Sequence, residues 1–296
     1  MESSRLFFII MFLYTIVLSI SSINCTEKNN NLVTNQAALF VFGDSLFDAG
    51  NLKYINSTSG FQSNFFPYGQ TTFKFPTGRV SDGRLITDFI AENAWLPLIP
   101  PNLLPSNSHS QFTYGANFAF GGAGALVETL PGMEVYKMGG RKFGFLNMGA
   151  YECAPGISIL DTTNIGSCSK PVAELIYLYN KKFPGALRRL QRELPGFRYA
   201  LHDYHTSLLE RINNPSKYGF KEGKMGCCGS GLLRGINTCG NQMRHSYELC
   251  ENVTDYLFFD ASHLTEKAHQ QFAELMWSGP PNVTGPYNLK ALFELN

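Results

Sequence analysis

The chain carries almost no excess of charge. Its 296 residues include 24 Lys and Arg against 23 Asp and Glu, a formal net charge of +1. That balance excludes a nucleic-acid or other polyanion binder on bulk charge. Nucleotide and zinc-protease signatures are missing too: there is no Gly-x-Gly-x-x-Gly, no glycine loop followed by Lys, and no His-Glu-x-x-His. No internal repeat is visible, and after residue 20 no apolar run is long enough to span a bilayer. What remains is 44% apolar and only 16% charged, which excludes a disordered chain. With 28 Gly, 15 Pro, 24 Phe and 14 Tyr, it suits a loop-rich, aromatic-heavy enzyme better than a helical bundle.

The first 25 residues read as a secretory signal peptide. Arg5 precedes an apolar run from Leu6 to Ile20, and Ser21 and Ser22 follow. The run is shorter than a spanning helix needs, so cleavage is expected between Ser22 and Thr26 rather than membrane anchoring. Residues 26–296 then form a single domain with six cysteines: Cys153, Cys168, Cys227, Cys228, Cys239 and Cys250. An even number in an exported chain predicts disulfides. Spacing favours a small loop closed by Cys153 and Cys168, with the other four bonded among themselves. The rival is a zinc site at Cys227, Cys228 and Cys239, but adjacent cysteines do not supply the usual C-x-x-C pairing. Asn56, Asn252 and Asn282 begin Asn-x-Ser/Thr sequons, candidate glycan acceptors.

Strands and helices are expected to alternate. Residues 37–42, 114–120, 142–147, 197–201 and 256–259 are short apolar runs, read as strands. Residues 87–95, 172–192, 204–212 and 264–277 have helical periodicity, and 223–242 reads as a Gly- and Cys-rich loop. This pattern predicts an α/β layered domain.

Three strand ends carry chemistry. Gly43-Asp44-Ser45 places a hydroxyl just past a buried strand and near an expected helix start, although the same residues would serve equally well as a helix cap. Gly121-Gly122-Ala123-Gly124 offers backbone N–H groups for an oxyanion, or simply a turn. Asp260-Ala-Ser-His263 puts a carboxylate within reach of an imidazole on one tight turn. Such a pair can take a proton from a serine, with the carboxylate holding the ring. His202 and His205 sit at i, i+3, where a strand-to-helix turn explains them without a metal. His109, His245 and His269 read as surface residues, and the basic pairs at 181–182 and 188–189 as a solvated helix face.

Taken together, these segments carry a family resemblance. Phe42-Gly-Asp-Ser-Leu-Phe-Asp-Ala-Gly-Asn51, Gly78-Arg-Val-Ser-Asp-Gly-Arg84, Asn117-Phe-Ala-Phe-Gly-Gly-Ala-Gly124, Gly139-Gly-Arg-Lys-Phe143 and Phe259-Asp-Ala-Ser-His-Leu-Thr265 resemble the plant GDSL esterase/lipase family of the SGNH hydrolases. The likeness covers nearly all of residues 26–296 and is greatest to secreted GDSL lipases associated with plant defence. It implies a three-layer α/β/α fold around a central parallel sheet, like flavodoxin. It implies a carboxylic ester hydrolase with a Ser45, Asp260 and His263 triad. The Ser45 N–H and one glycine N–H, Gly122 more than Gly121, would form the oxyanion hole. The substrate would be a small ester or a lipid, with no cofactor, nucleic acid or stable membrane span.

One family motif is missing. The third oxyanion donor of the family is an Asn side chain in Gly-x-Asn-Asp at the end of a central strand, and no Gly-x-Asn-Asp occurs here. The chain passes from Glu128-Thr-Leu-Pro-Gly132 to Val135-Tyr-Lys-Met-Gly139 with only Met133 and Glu134 between, as an internal deletion near 126–138 would leave it. A central strand and adjacent helices would then be missing, and the product would be an impaired esterase, a GDSL-like binding protein or a truncated product. Asn117 and Asn147, each near an expected strand end, are the candidate replacement donors.

Overall fold

The computed structural model describes residues 37–55, 63–105, 109–124, 132–240 and 246–295. The signal segment 1–25, Asn56, His245 and residues 126–131 of the expected junction lie outside these. The described residues from Ala37 onward form one compact unit.

The α/β class expected from the sequence is what the chain adopts. The strands are β1 Lys142–Leu146, β2 Arg198–His202, β3 Glu222–Gly226, β4 Cys228–Gly229, β5 Glu248–Leu249, β6 Tyr256–Phe258 and β7 Thr284–Pro286. The α-helices are α1 Ile86–Asn93, α2 Gly132–Lys137, α3 Pro155–Ser158, α4 Lys170–Glu193, α5 Tyr204–Asn213, α6 Glu266–Ser278 and α7 Leu289–Glu294. β1 and β2 run parallel, with Lys142 opposite Arg198 and Leu146 opposite His202, and β7 lies antiparallel on the far side of β2. β3 pairs parallel with β6, and β4 antiparallel with β5. The segment expected as a loop at 223–242 therefore contains two strands. Its glycines hid them, because a glycine has no side chain to show a period.

Strand alternation sorts the side chains into layers. On β1 and β2, Phe143, Phe145, Tyr199 and Leu201 pack with Phe183, Leu187 and Leu190 of α4. Ala200 of β2 turns the other way, into a core with Phe272 and Met276 of α6 and Leu289 and Leu292 of α7. Helices thus cover both faces, the α/β/α arrangement.

The strand expected at 37–42 makes only an isolated bridge, Val41 to Asn117, supported by backbone bonds from Val41 N to Ala116 O and from Phe118 N to Val41 O. Among the described residues no ladder joins it to β1, which is an edge strand. Phe40 and Phe118 are exposed, as are Leu175 and Leu178 on α4.

Two motif segments serve as braces. Arg79 is buried and forks onto Asp88 of α1, Nε to Oδ2 and Nη2 to Oδ1, each at 2.7 Å. Asp88 Oδ2 also accepts from Leu85 N, capping α1. Asp82, whose carboxyl burial pushes up to about 6, accepts from Glu266 N at the start of α6. Arg84 reaches the Glu266 carboxylate. Removing one partner of a buried pair leaves an unmatched charge, so Asp88→Ala should lower the unfolding free energy by about 3–5 kcal/mol. Denaturant unfolding would check this, and a loss under 1 kcal/mol would contradict it.

All six cysteines are joined, as Cys153–Cys168, Cys227–Cys250 and Cys228–Cys239. This leaves no thiolate for the zinc alternative. His269, expected at the surface, is fully buried instead, because it lies on the inward face of α6 beside Ala268, Phe272 and Ala273. Burial pulls its pKa down to about 3, so the ring is neutral.

Candidate active site

Ser45 follows the Val41 bridge on a tight turn. Asp44 Oδ1 accepts from Leu46 N at 2.9 Å, and Asp44 O accepts from Phe47 N at 3.2 Å. The expected helix start is absent: a single 3₁₀ turn begins only at Asn51. Asp48 organises the segment before that turn. Its buried carboxylate accepts the N–H groups of Gly50, Asn51 and Leu52, and also that of Gly121. Burial raises its pKa, with those four N–H groups acting in the opposite direction. No helix dipole therefore acts at Ser45.

Asp260 and His263 lie on the turn that links β6 to α6. Phe258 and Leu264 bridge antiparallel across this turn, and Phe259 N donates to His263 O at 2.7 Å. Thr265 caps α6 by accepting from Ala268 N, which ends the turn on a fixed helix. Asp260 is fully buried, and its Oδ1 accepts from Ser262 N at 2.9 Å and His263 N at 2.8 Å.

The structure brings the three expected residues together. His263 Nε2 lies 2.8 Å from Ser45 Oγ, and Nδ1 lies 2.9 Å from Asp260 Oδ1 and 3.1 Å from Oδ2. The carboxylate can only accept, so Nδ1 carries the proton and Nε2 faces the hydroxyl as acceptor. Burial alone would pull the His263 pKa down. The charge and hydrogen bond of Asp260, with Asp44 behind, outweigh it and hold the pKa above 6.5. Burial pushes Asp260 up, but the His263 charge and the N–H groups of Ser262 and His263 bring it below the usual carboxylate range. The His263 side chain is 15% exposed, enough for a ligand to reach it.

The glycine pair adjoins Ser45. A Cβ built on Gly121 would stand 3.8 Å from Ser45 Cβ, while one on Gly122, at φ +88°, would meet nothing within 4 Å. Gly121 N is committed to Asp48. Among the described residues no group accepts from the N–H of Ser45 or Gly122. Of the two candidate replacement donors, Asn117 Nδ2 donates one hydrogen to Phe47 O, and Asn147 Nδ2 one to Asp203 Oδ1.

His202 and His205 do not converge on a metal. His202 Nδ1 meets Val283 O and Thr284 Oγ1, while His205 Nε2 meets Glu152. An open cleft of about 670 Å³ between α4 and β7 is lined by Lys181, Arg188, Tyr199 and Asn282, and contains no member of the Ser45 cluster. Asn252 and Asn282 are both exposed, as glycan acceptors must be. No described helix is long and apolar enough to cross a membrane.

Known proteins match along the whole chain. The family model described as GDSL-like lipase/acylhydrolase matches residues 39–135 and 125–276, two segments that meet at the expected junction. "GDSL esterase/lipase 2" of Arabidopsis thaliana is 57% identical over 376 positions, covering 100% of both chains. From the same plant, "GDSL esterase/lipase 3" is 58% identical over 370 positions, covering 98% of this chain and 99% of its own. "GDSL esterase/lipase 1" is 56% identical over 375 positions, again covering 100% of both. The first alignment runs 80 positions beyond the 296 residues of this chain. On these matches, the chain belongs to the plant GDSL esterase/lipase branch of the GDSL-like lipase/acylhydrolase family.

Proposed function

We propose that the chain is an exported serine esterase that hydrolyses carboxylic esters, lipid esters among them, through Ser45, His263 and Asp260. The observation that carries this reading is the unbroken hydrogen-bonded path from Ser45 Oγ through His263 to Asp260. His263 Nε2 takes the Ser45 proton as Oγ attacks the ester carbonyl. The oxyanion that forms meets the free N–H groups of Ser45 and Gly122. The imidazolium, steadied by Asp260, then gives its proton to the departing alcohol, and water repeats the sequence on the acyl-enzyme. Export is supported by the Leu6–Ile20 run and the three disulfides. Glycans at the exposed Asn252 and Asn282 would fit an exported chain, and a role in plant defence rests on the family resemblance alone.

Purified protein assayed on a short p-nitrophenyl ester tests this. The working form has His263 neutral, and its pKa is raised, so activity should be lost as pH falls through a value above 6.5. Activity that persists undiminished at pH 5 would exclude His263 as the base.

A second reading has its own support. The 80 extra alignment positions, the two family segments meeting at 125–135, and the unpaired edge of β1 fit an internal deletion that removed a strand and the Gly-x-Asn-Asp donor. The chain would then be an impaired esterase, or a binding protein built on the same cleft.

A further inference from the structure

The carboxylate of Asp260 is held from two sides, and only one of them belongs to the tight turn. Its Oδ1 accepts from Ser262 N, His263 N and His263 Nδ1. Its Oδ2 accepts from Tyr68 OH at 2.8 Å, a residue 192 positions away in sequence. The 3.1 Å approach of His263 Nδ1 is the other contact of that oxygen. Tyr68 is itself locked. Its ring is 3% exposed and meets Phe259 edge-on at 5.3 Å and Phe65 edge-on at 5.4 Å. Its hydroxyl is the donor of that 2.8 Å bond, so the phenolic proton points at Asp260.

We infer that Tyr68 is a positioning residue for the Asp260–His263 pair, fixing the rotation of the carboxylate so that Oδ1 stays aimed at Nδ1. This rests on the proposed triad. A carboxylate bound only through Oδ1 can swing about its Cβ–Cγ bond, and the imidazole would follow it away from Ser45. A donor on Oδ2 removes that freedom. It also neutralises part of the Asp260 charge and so tempers how strongly the imidazolium is held. The other groups facing this pair are Asp44, which adds negative charge beside His263, and the neutral His269.

The rate at which a fluorophosphonate labels Ser45, followed across pH, reads both effects and does not need fast turnover. Tyr68→Phe keeps the ring contacts with Phe65 and Phe259 and deletes only the donor. It should slow labelling on the pH plateau about tenfold, the usual worth of a hydrogen bond to a charged group. Its acid limb should also move to higher pH, because Asp260 with one donor fewer binds the imidazolium more tightly. 3-Fluorotyrosine at position 68 is a stronger donor of the same shape, and should move the limb to lower pH at a rate near that of the unmodified protein. If Tyr68→Phe fails to fold, the fluorinated residue carries the test alone. A limb that stays in place in every folded variant would overturn the proposal, even with a lower melting temperature, because that is what a purely packing role gives. Folded, unmodified protein that is not labelled at Ser45 would instead remove the triad itself.

Discussion

Ser45→Ala should abolish ester hydrolysis, with a loss of about 10⁴-fold or more wherever the starting activity can be measured. The size follows from the geometry. Among the described residues Ser45 Oγ is the one hydroxyl bonded to His263 Nε2, at 2.8 Å, and Nε2 is the basic end of a ring whose other nitrogen is bound to Asp260. Without Oγ nothing forms the acyl-enzyme, and the remaining N–H groups can only polarise a carbonyl. His263→Ala should cost a similar factor, and the double variant should be no worse than either single change, since all act on one proton path. A fluorophosphonate should label Ser45 and no other residue. Labelling at a different serine, or losses that multiply, would refute the assignment.

On the proposed deletion near residues 126–138, inserting a segment that carries Gly-x-Asn-Asp there should raise kcat/KM by about 100- to 1000-fold, the usual worth of one oxyanion donor. Among the described residues the N–H groups of Ser45 and Gly122 are the proposed oxyanion donors, and Asn117 and Asn147 each give an amide hydrogen to another partner, Phe47 O and Asp203 Oδ1. The insertion should also raise the melting temperature, because a new strand would pair the free edge of β1 and cover Phe40 and Phe118. Changing the Asn of the inserted Gly-x-Asn-Asp to Ala should reverse the gain in rate but keep the gain in stability. If the short chain already matches the restored one in kcat/KM, the third donor is dispensable.

Local patterns could be read from the sequence, and distant partnerships could not. The 172–192 periodicity became α4, Lys170–Glu193, and the 142–147 run became β1, because each element shows its own period. Asp260 and His263 stood out because three residues on one turn bring carboxylate and ring together. Ser45 joins them only through the fold, yet its strand-end setting was visible. Tyr68, by contrast, looked like one aromatic among many in a loop, since the group that defines it is 192 residues away. Asp48 was hidden for a different reason. An acid followed by Ala-Gly-Asn is a turn signal, and a turn signal does not say that the carboxylate will collect four N–H groups. His269 was misjudged because one histidine does not reveal which way its helix faces.

The neighbouring cysteines Cys227 and Cys228 sit beside the end of β6 and the turn that carries Asp260. Cys227 N donates to Phe258 O, Cys228 N to Phe259 O, and Cys250 N back to Cys227 O. Their sulfurs leave in different directions, one to Cys250 and one to Cys239. The backbone next to Asp260 is thus tied to bonds that need an oxidant to form. In a reducing cytosol those bonds would not close. A reduced chain would hold the Asp260 segment through its backbone hydrogen bonds to Cys227 and Cys228, without the covalent ties behind them.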